Sequence, residues 1–99
     1  PVDYFKRNVK IGASCMPRRE AELRHGTGVP QIMWGSDYPH PEGTWPNTDS
    51  RMRDALLDVP EPEAVAILGG NAADWYGFDA EKLAPLVARI GPEKRRFAR

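Results

Sequence analysis

The order of hydrophobic and polar residues predicts two short β-strands in the first half of the chain. Over residues 8–14 apolar and polar side chains alternate, which is typical of a strand with one covered face. Over residues 31–36 the apolar side chains are consecutive, as in a strand that is covered on both faces: Ile32, Met33 and Trp34. Because successive side chains point to opposite faces, Ile32 and Trp34 share the face that we expect to lie under the helices.

Helical periodicity follows the strands. Helices are predicted at residues 17–25, 48–58, 63–68, 71–77 and 79–90. The second of them has an apolar stripe with the spacing i, i+3, i+4, i+7: Met52, Ala55, Leu56 and Val59. The last helix, capped by Asp79, repeats this spacing around Pro85, which predicts a kink or a split: Leu83, Leu86, Val87 and Ile90.

Smaller features complete the pattern. Residues 1–7 are predicted as a loop or short turn, and the first helix has a thin inner side: Met16, Ala21 and Leu23. In the third helix Val65 and Leu68 are expected to point inward. Gly69 and Gly70 then predict a double turn between two helices, with Asn71 as the cap of the next one.

The strand–helix–strand–helix order predicts an α/β fold with a parallel sheet. Asp37 follows the second strand at its C-terminal end and shares a face with Met33 and Gly35. In α/β folds the C-terminal ends of parallel strands are where the chemistry takes place. Asp37 is therefore the leading candidate for a functional carboxylate.

The segment after Asp37 is stiff, because three prolines lie within the eight residues 39–46. A stiff loop loses little conformational entropy when it is ordered, which suits the wall of a pocket. Its candidate pocket-lining residues are Tyr38, His40, Glu42 and Trp45. The alternative interpretation is structural: an aspartate after a strand is commonly a turn residue whose carboxylate binds nearby backbone N–H groups.

Bulk properties exclude several classes of protein. A length of 99 residues suffices for one domain, and a net charge of zero gives no field that would attract nucleic acid or a membrane. Cys15 is the single cysteine, so no internal disulfide forms; we expect a buried, unreactive thiol and a reducing, cytoplasmic location. No apolar run is long enough to span a membrane.

Two motifs carry a resemblance to a known family. They are Gly-Ser-Asp-Tyr-Pro-His-Pro-Glu-Gly at residues 35–43 and Ile-Leu-Gly-Gly-Asn-Ala-Ala-Asp-Trp-Tyr-Gly at residues 67–77. Over residues 4–92 the chain resembles the end of amidohydrolase-related proteins (amidohydrolase family 2). This metal-dependent branch of (β/α)₈ TIM barrels also contains aminocarboxymuconate-semialdehyde decarboxylase. The first motif is the more specific of the two.

The resemblance implies that the predicted strands are the seventh and eighth of a barrel. A complete barrel needs about 250 residues, and the chain begins at Pro1 without a methionine. We therefore expect residues 1–91 to be the C-terminal part of a (β/α)₈ barrel, with the last two parallel strands and the helices that follow. Residues 92–99 are expected to be a basic, flexible tail.

The resemblance also implies a chemistry for Asp37, which matches the aspartate after the eighth strand of the family. That aspartate binds a divalent metal, expected to be zinc, and in hydrolytic members it accepts a proton from metal-activated water. Family members place a His-x-His pair on the first strand and another histidine in mid-barrel, whereas His25 and His40 are the two histidines here. Asp37 and His40 are fewer than the three ligands of a zinc site, so we expect this chain alone to be inactive.

The sequence thus predicts part of a metal-dependent hydrolase that cleaves C–N or related bonds in a small organic substrate. One alternative is a metal-dependent decarboxylase of the same family, in which the same carboxylate is a ligand. Another is a non-catalytic fragment or binding module, in which Asp37 only stabilises a turn. The sequence does not specify the substrate, and it is compatible with a homo-oligomer.

Overall fold

The computed structural model describes residues 1–97; Ala98 and Arg99 lie outside the described residues. Two strands, β1 (Ile11–Ser14) and β2 (Ile32–Gly35), alternate with α-helices. The helices are α1 (Val2–Asn8), α2 (Arg18–Glu22), α3 (Arg24–Thr27), α4 (Thr48–Leu56), α5 (Glu61–Val65), α6 (Asn71–Tyr76) and α7 (Ala80–Ile90). A π-helix spans Ala66–Gly70, and 3₁₀-helices span Val29–Gln31 and Lys94–Phe97.

The two strands pair in parallel, as the sequence predicts. Ile11 lies opposite Ile32, and Ser14 lies opposite Gly35. Both strands are shorter than predicted, because α1 includes Asn8 and a 3₁₀-helix containing Pro30 replaces the start of the second strand. The two-stranded sheet has a free edge on each side among residues 1–97.

The core lies on one face of this sheet, between β2 and the helices that follow it. Its buried residues confirm the predicted stripe of α4: Met52, Ala55 and Leu56 are buried, and Val59 packs against the core cluster. The predicted face of the second strand is also confirmed, since Ile32 is buried and Trp34 packs against the core.

The first helical region differs from the prediction. Residues 1–7 were expected to be a loop, yet most of them belong to α1. The predicted helix 17–25 is interrupted at Leu23, where the backbone (φ −90°, ψ 6°) leaves the helical conformation between α2 and α3. Leu23 is therefore exposed and not inward, because Ala21 and Met16 already occupy the inner side of this turn.

A continuous helical segment from Glu61 to Tyr76 replaces the predicted turn at Gly69 and Gly70. The π-helix joins α5 to α6, and Gly70 keeps helical dihedral angles (φ −58°, ψ −46°). The rotation of this helical segment about its axis buries Ile67 completely and leaves Val65 exposed. The predicted inward position of Val65 is therefore wrong. Leu68, the other predicted inward residue, is half-buried against the core.

The last helix begins as predicted, but its apolar face is exposed to solvent. The Asp79 carboxylate accepts hydrogen bonds from the backbone N–H groups of Glu81 and Lys82, at 3.0 and 3.1 Å. Pro85 lies inside α7 without dividing it. The apolar stripe is exposed, and no other part of residues 1–97 buries it: Leu83, Leu86, Val87 and Ile90.

The segment after α7 returns to the helical layer through an ion pair. Lys94 Nζ donates to Glu61 Oε1 at 2.6 Å. This hydrogen bond is the main cause, and the attraction between the opposite charges the second, of a lowered pKa of Glu61 and a raised pKa of Lys94. Residues 94–97 of the predicted tail 92–99 form a 3₁₀-helix, and the flexibility of the tail stays a prediction. None of the helices within residues 1–97 combines the length and apolar composition needed to cross a bilayer.

Candidate functional site

The loop after β2 closes on itself. The backbone N–H of Thr44 donates to the carbonyl of Ser36 at 2.9 Å, which joins the two ends of the loop 36–44, here called the site loop. Thr44 is buried, and its hydroxyl contacts the Thr48 hydroxyl at 3.0 Å in the first turn of α4. The site loop is therefore fixed both to the end of β2 and to the start of α4.

Two successive turns shape the interior of the site loop. The His40 N–H donates to the Asp37 carbonyl, and the Gly43 N–H donates to the His40 carbonyl, both at 2.8 Å. A Cβ on Gly43 would lie 2.9 Å from each of three backbone carbonyl oxygens, those of Ser36, Asp37 and His40. The loop can close in this way because residue 43 has no side chain.

Replacing Gly43 by alanine is expected to open the site loop. The three carbonyl oxygens belong to the backbone and cannot move separately, so we expect a local cost of about 1–3 kcal/mol. Backbone amide chemical shifts of residues 36–44 should change. Gly69→Ala is the matched control, because a Cβ there meets nothing within 4 Å. Unchanged amide shifts in Gly43→Ala would contradict this account of the loop.

Asp37 presents its carboxylate at the end of β2, as predicted. Its backbone is left-handed (φ 57°), a conformation that aspartate tolerates better than most residues. Across the described part of the chain, no backbone N–H donates to this carboxylate; the Tyr38 N–H instead donates to the Ser36 hydroxyl at 3.3 Å. The structure therefore shows none of the backbone contacts that the turn-residue interpretation expects, and the role of Asp37 stays a prediction.

His40 is the nearest ionisable neighbour of Asp37. Its Nδ1 lies 3.4 Å from Asp37 Oδ2 and accepts a hydrogen bond from the Glu42 N–H at 3.1 Å. In a neutral imidazole that accepts through Nδ1, the proton is on Nε2. In this arrangement His40 lies beside Asp37, and its hydrogen bond from the Glu42 N–H stabilises the site loop.

The other predicted pocket residues divide into two groups. Tyr38 and Trp45 lie together, with ring centroids 6.0 Å apart and ring planes at 72°. Glu42 instead lines a cavity of about 250 Å³ with Cys15, Trp34 and other residues, and Asp37 is not among its lining residues. The structure therefore brings His40 to Asp37 and Tyr38 to Trp45, and it places Glu42 at a separate cavity.

Cys15 has a role that the sequence analysis missed. It was expected to be buried and inert, whereas it is half-buried, with a left-handed backbone (φ 55°) directly after β1. Its thiol donates to the Glu42 carbonyl at 3.2 Å, and its N–H donates to the Gly35 carbonyl at 3.0 Å. Cys15 thus ties the end of β1 to the site loop, which its position after a parallel strand could have indicated.

Asn71 is a second residue whose role was missed. It was predicted to cap a helix, but its buried side chain extends across to the second strand. Its Nδ2 donates to the carbonyls of Val29 and Ile32, at 2.7 and 2.8 Å. A signal was available: Asn71 lies four residues after Ile67, so both occupy the inner face of one helix.

The donor set tests whether the residues present fit a metal ion. Within residues 1–97 no group of three or more histidine, cysteine, aspartate or glutamate side chains is arranged to hold one. A carboxylate with no backbone hydrogen bond, beside an imidazole, is suitable for one part of a divalent metal site. Asp37 fits the role of one ligand among several, and the site loop supplies no complete site.

Comparisons with known proteins give one match. No curated protein and no solved structure matches the chain. The family model described as amidohydrolase matches residues 10–78, from the residue before β1 to the residue before the cap of α7. This family is one of divalent-metal hydrolases built on barrels. Because the match covers well over half of the 99 residues, including both strands and the site loop, the chain belongs to the amidohydrolase family.

Proposed function

We propose that this chain is the C-terminal part of a (β/α)₈-barrel enzyme that hydrolyses a C–N or related bond in a small organic substrate. The observation that carries the proposal is the state of Asp37. Its carboxylate follows a parallel strand, is half-exposed, and accepts no backbone hydrogen bond within residues 1–97. Membership of the amidohydrolase family supports the same role, since a carboxylate at this position suits a metal-dependent hydrolase.

Two features support the view that the remaining strands and ligands belong to a larger barrel. The sheet described here has two strands, and each has a free edge that another strand of a barrel would pair with. Asp37 and His40 are also fewer than the three or four ligands of a zinc site. A barrel supplies both missing parts, because its catalytic residues come from the ends of several strands.

In this enzyme Asp37 has two tasks. Asp37 would be one of the residues that hold a divalent metal, and its carboxylate would accept a proton from the attacking water and return it to the leaving group. A metal bound there would supply Lewis acidity, which would lower the pKa of a bound water and polarise the bond to be cleaved. The His40 imidazole lies beside this carboxylate, with its Nδ1 3.4 Å from Oδ2. The rigid site loop keeps this geometry, because its ends are joined by the Thr44–Ser36 hydrogen bond.

Metal analysis tests this proposal. Full-length protein that contains residues 1–99 is expected to carry a divalent metal, and Asp37→Ala is expected to weaken its binding by at least about tenfold, since a ligand is lost. Asp74→Asn, an exposed carboxylate on α6, is the matched control and should leave metal content unchanged. The 99 residues alone should not retain zinc at nanomolar affinity. Unaltered metal content in Asp37→Ala would refute the ligand role.

A further inference from the structure

Three donors converge on one backbone carbonyl, that of Ser36, which belongs to the peptide unit immediately before Asp37. The Thr44 N–H donates to this oxygen at 2.9 Å, and the Thr44 hydroxyl lies 3.5 Å from it. The Cys15 thiol approaches the same oxygen from the end of β1, at 3.8 Å. A carbonyl oxygen has two lone pairs, so it can accept from the Thr44 N–H and from one of the two side chains at a time.

The Thr44 hydroxyl also links this carbonyl to α4. Thr44 is 5% exposed, and its Oγ1 lies 3.0 Å from Thr48 Oγ1 in the first turn of the helix. When the Thr48 hydroxyl donates in that pair, the proton of Thr44 is left for the Ser36 carbonyl. The peptide unit before Asp37 is then connected to α4 through a buried side chain.

Cys15 holds the same region from the side of the sheet. Its N–H donates to the Gly35 carbonyl at 3.0 Å, which fixes the residue beside the end of β2. Its thiol donates to the Glu42 carbonyl at 3.2 Å and lies 3.8 Å from the Ser36 carbonyl. Because Ser36 and Glu42 flank residues 37–41, the sulfur contacts both ends of the segment that contains Asp37.

The backbone of Asp37 depends on such support. Its φ of 57° is left-handed, and a non-glycine residue keeps a sparsely populated conformation only where the surrounding structure over-determines it. Rotation of the Ser36–Asp37 peptide unit changes this angle and turns the carboxylate away from its present direction. The orientation of this one peptide unit therefore sets the direction of the Asp37 side chain.

We propose that Thr44 and Cys15 are positioning residues, whose side chains hold the Ser36 carbonyl and thereby aim the Asp37 carboxylate. That this carboxylate binds a divalent metal rests on the proposed function. The restraint on the Ser36–Asp37 peptide unit rests on the contacts of the site loop alone.

The first measurement observes the restrained peptide unit directly. Full-length protein is labelled with ¹³C-carbonyl serine and ¹⁵N-aspartate, which selects Ser–Asp peptide units; residues 36 and 37 form the one such pair in the 99 residues. The signal that Ser36→Ala removes belongs to this pair. Thr44→Val and Cys15→Ala should each shift it, because each removes a donor at the Ser36 carbonyl. Thr44→Ser and Cys15→Ser keep a donor and should shift it much less.

The second measurement is the Zn²⁺ affinity of the metal-free full-length protein, determined by competition with a chelator. Thr44→Val and Cys15→Ala are expected to weaken it roughly three- to tenfold, less than Asp37→Ala, because they misplace a ligand without removing it. Thr44→Ser and Cys15→Ser should stay within about twofold of wild type.

Ser50→Ala is the matched control for both measurements. It removes a hydroxyl that donates to a backbone carbonyl, that of Asn47 at 2.9 Å, outside the site loop. It should change neither the Ser36–Asp37 signal nor the Zn²⁺ affinity.

Three results would overturn the inference. One is a Ser36–Asp37 signal that keeps its wild-type position in either Thr44→Val or Cys15→Ala. Another is unchanged Zn²⁺ affinity in these two variants where Asp37→Ala weakens it. The third is an equal loss of affinity in the serine variants, since packing or direct binding of zinc by the thiol would then be responsible. Unchanged affinity in Asp37→Ala counts against the proposed function, and the Ser36–Asp37 signal then still decides for or against the two positioning residues.

Discussion

Asp37→Asn in the full-length enzyme is expected to abolish nearly all turnover while the fold stays intact. Asparagine has the shape of aspartate, so the left-handed backbone at φ 57° remains acceptable. The amide cannot accept the proton from water and is a weaker metal ligand. Losses from removing a general base are roughly a hundredfold to ten-thousandfold.

The measurement is steady-state turnover together with circular dichroism of the purified variant. Ser36→Ala is an informative companion, because the Ser36 hydroxyl accepts a hydrogen bond from the Tyr38 N–H and shapes the turn beside Asp37. We expect Ser36→Ala to lower turnover much less than Asp37→Asn. An Asp37→Asn enzyme that keeps more than about a tenth of wild-type turnover would exclude a central role for this carboxylate.

Asn71→Ala is expected to have the largest effect on stability. The Asn71 side chain donates to the carbonyls of Val29 and Ile32, at 2.7 and 2.8 Å, and Ile32 is buried. Alanine removes the side-chain donor of the Ile32 carbonyl and one of two donors of the Val29 carbonyl, which also accepts from the Ile32 N–H. A buried polar group without a partner costs about 1–3 kcal/mol. The free energy of unfolding should therefore fall by about 2–4 kcal/mol in chemical denaturation of the full-length protein.

The control for Asn71 is an asparagine whose side chain makes no such contact. Asn47 precedes α4 without a side-chain capping hydrogen bond, so Asn47→Ala should stay within about 0.5 kcal/mol of wild type. Asn71→Asp is a sharper companion, because it keeps the size but places a carboxylate against two carbonyl oxygens. If Asn71→Asp were as stable as wild type, the two hydrogen bonds would not be the reason for burying Asn71.

The sheet and the main stripe were predictable because they depend on periodicity. The two-residue period of a strand predicted that Ile32 and Trp34 lie on the core face of β2. The 3.6-residue period of a helix predicted that Met52 lies in the core. The helix through Gly69 and Gly70 was not predictable in this way. A glycine pair is a local stop signal worth about 1 kcal/mol per residue, and the burial of Ile67 outweighs it.

The candidate site shows the same division. Asp37 was identified because a carboxylate after a strand is visible in the sequence. The roles of Ser36, Gly43 and Cys15 were not, since they depend on contacts that appear only when the loop closes. Backbone carbonyls take part in these contacts, and the identity of a residue says nothing about where its carbonyl points.

The self-closing site loop has a consequence for protein engineering. Its shape is fixed mainly by hydrogen bonds between its own residues, and it is anchored by the Thr44–Ser36 and Thr44–Thr48 contacts at its base. Its one side-chain tie to the preceding strand is the Cys15 thiol, which donates to the Glu42 carbonyl, so a host barrel needs a cysteine at the end of the neighbouring strand. Residues 35–48 could be transplanted as a cassette between a parallel strand and the following helix of an unrelated barrel, and Asp37 would arrive there in its native left-handed conformation.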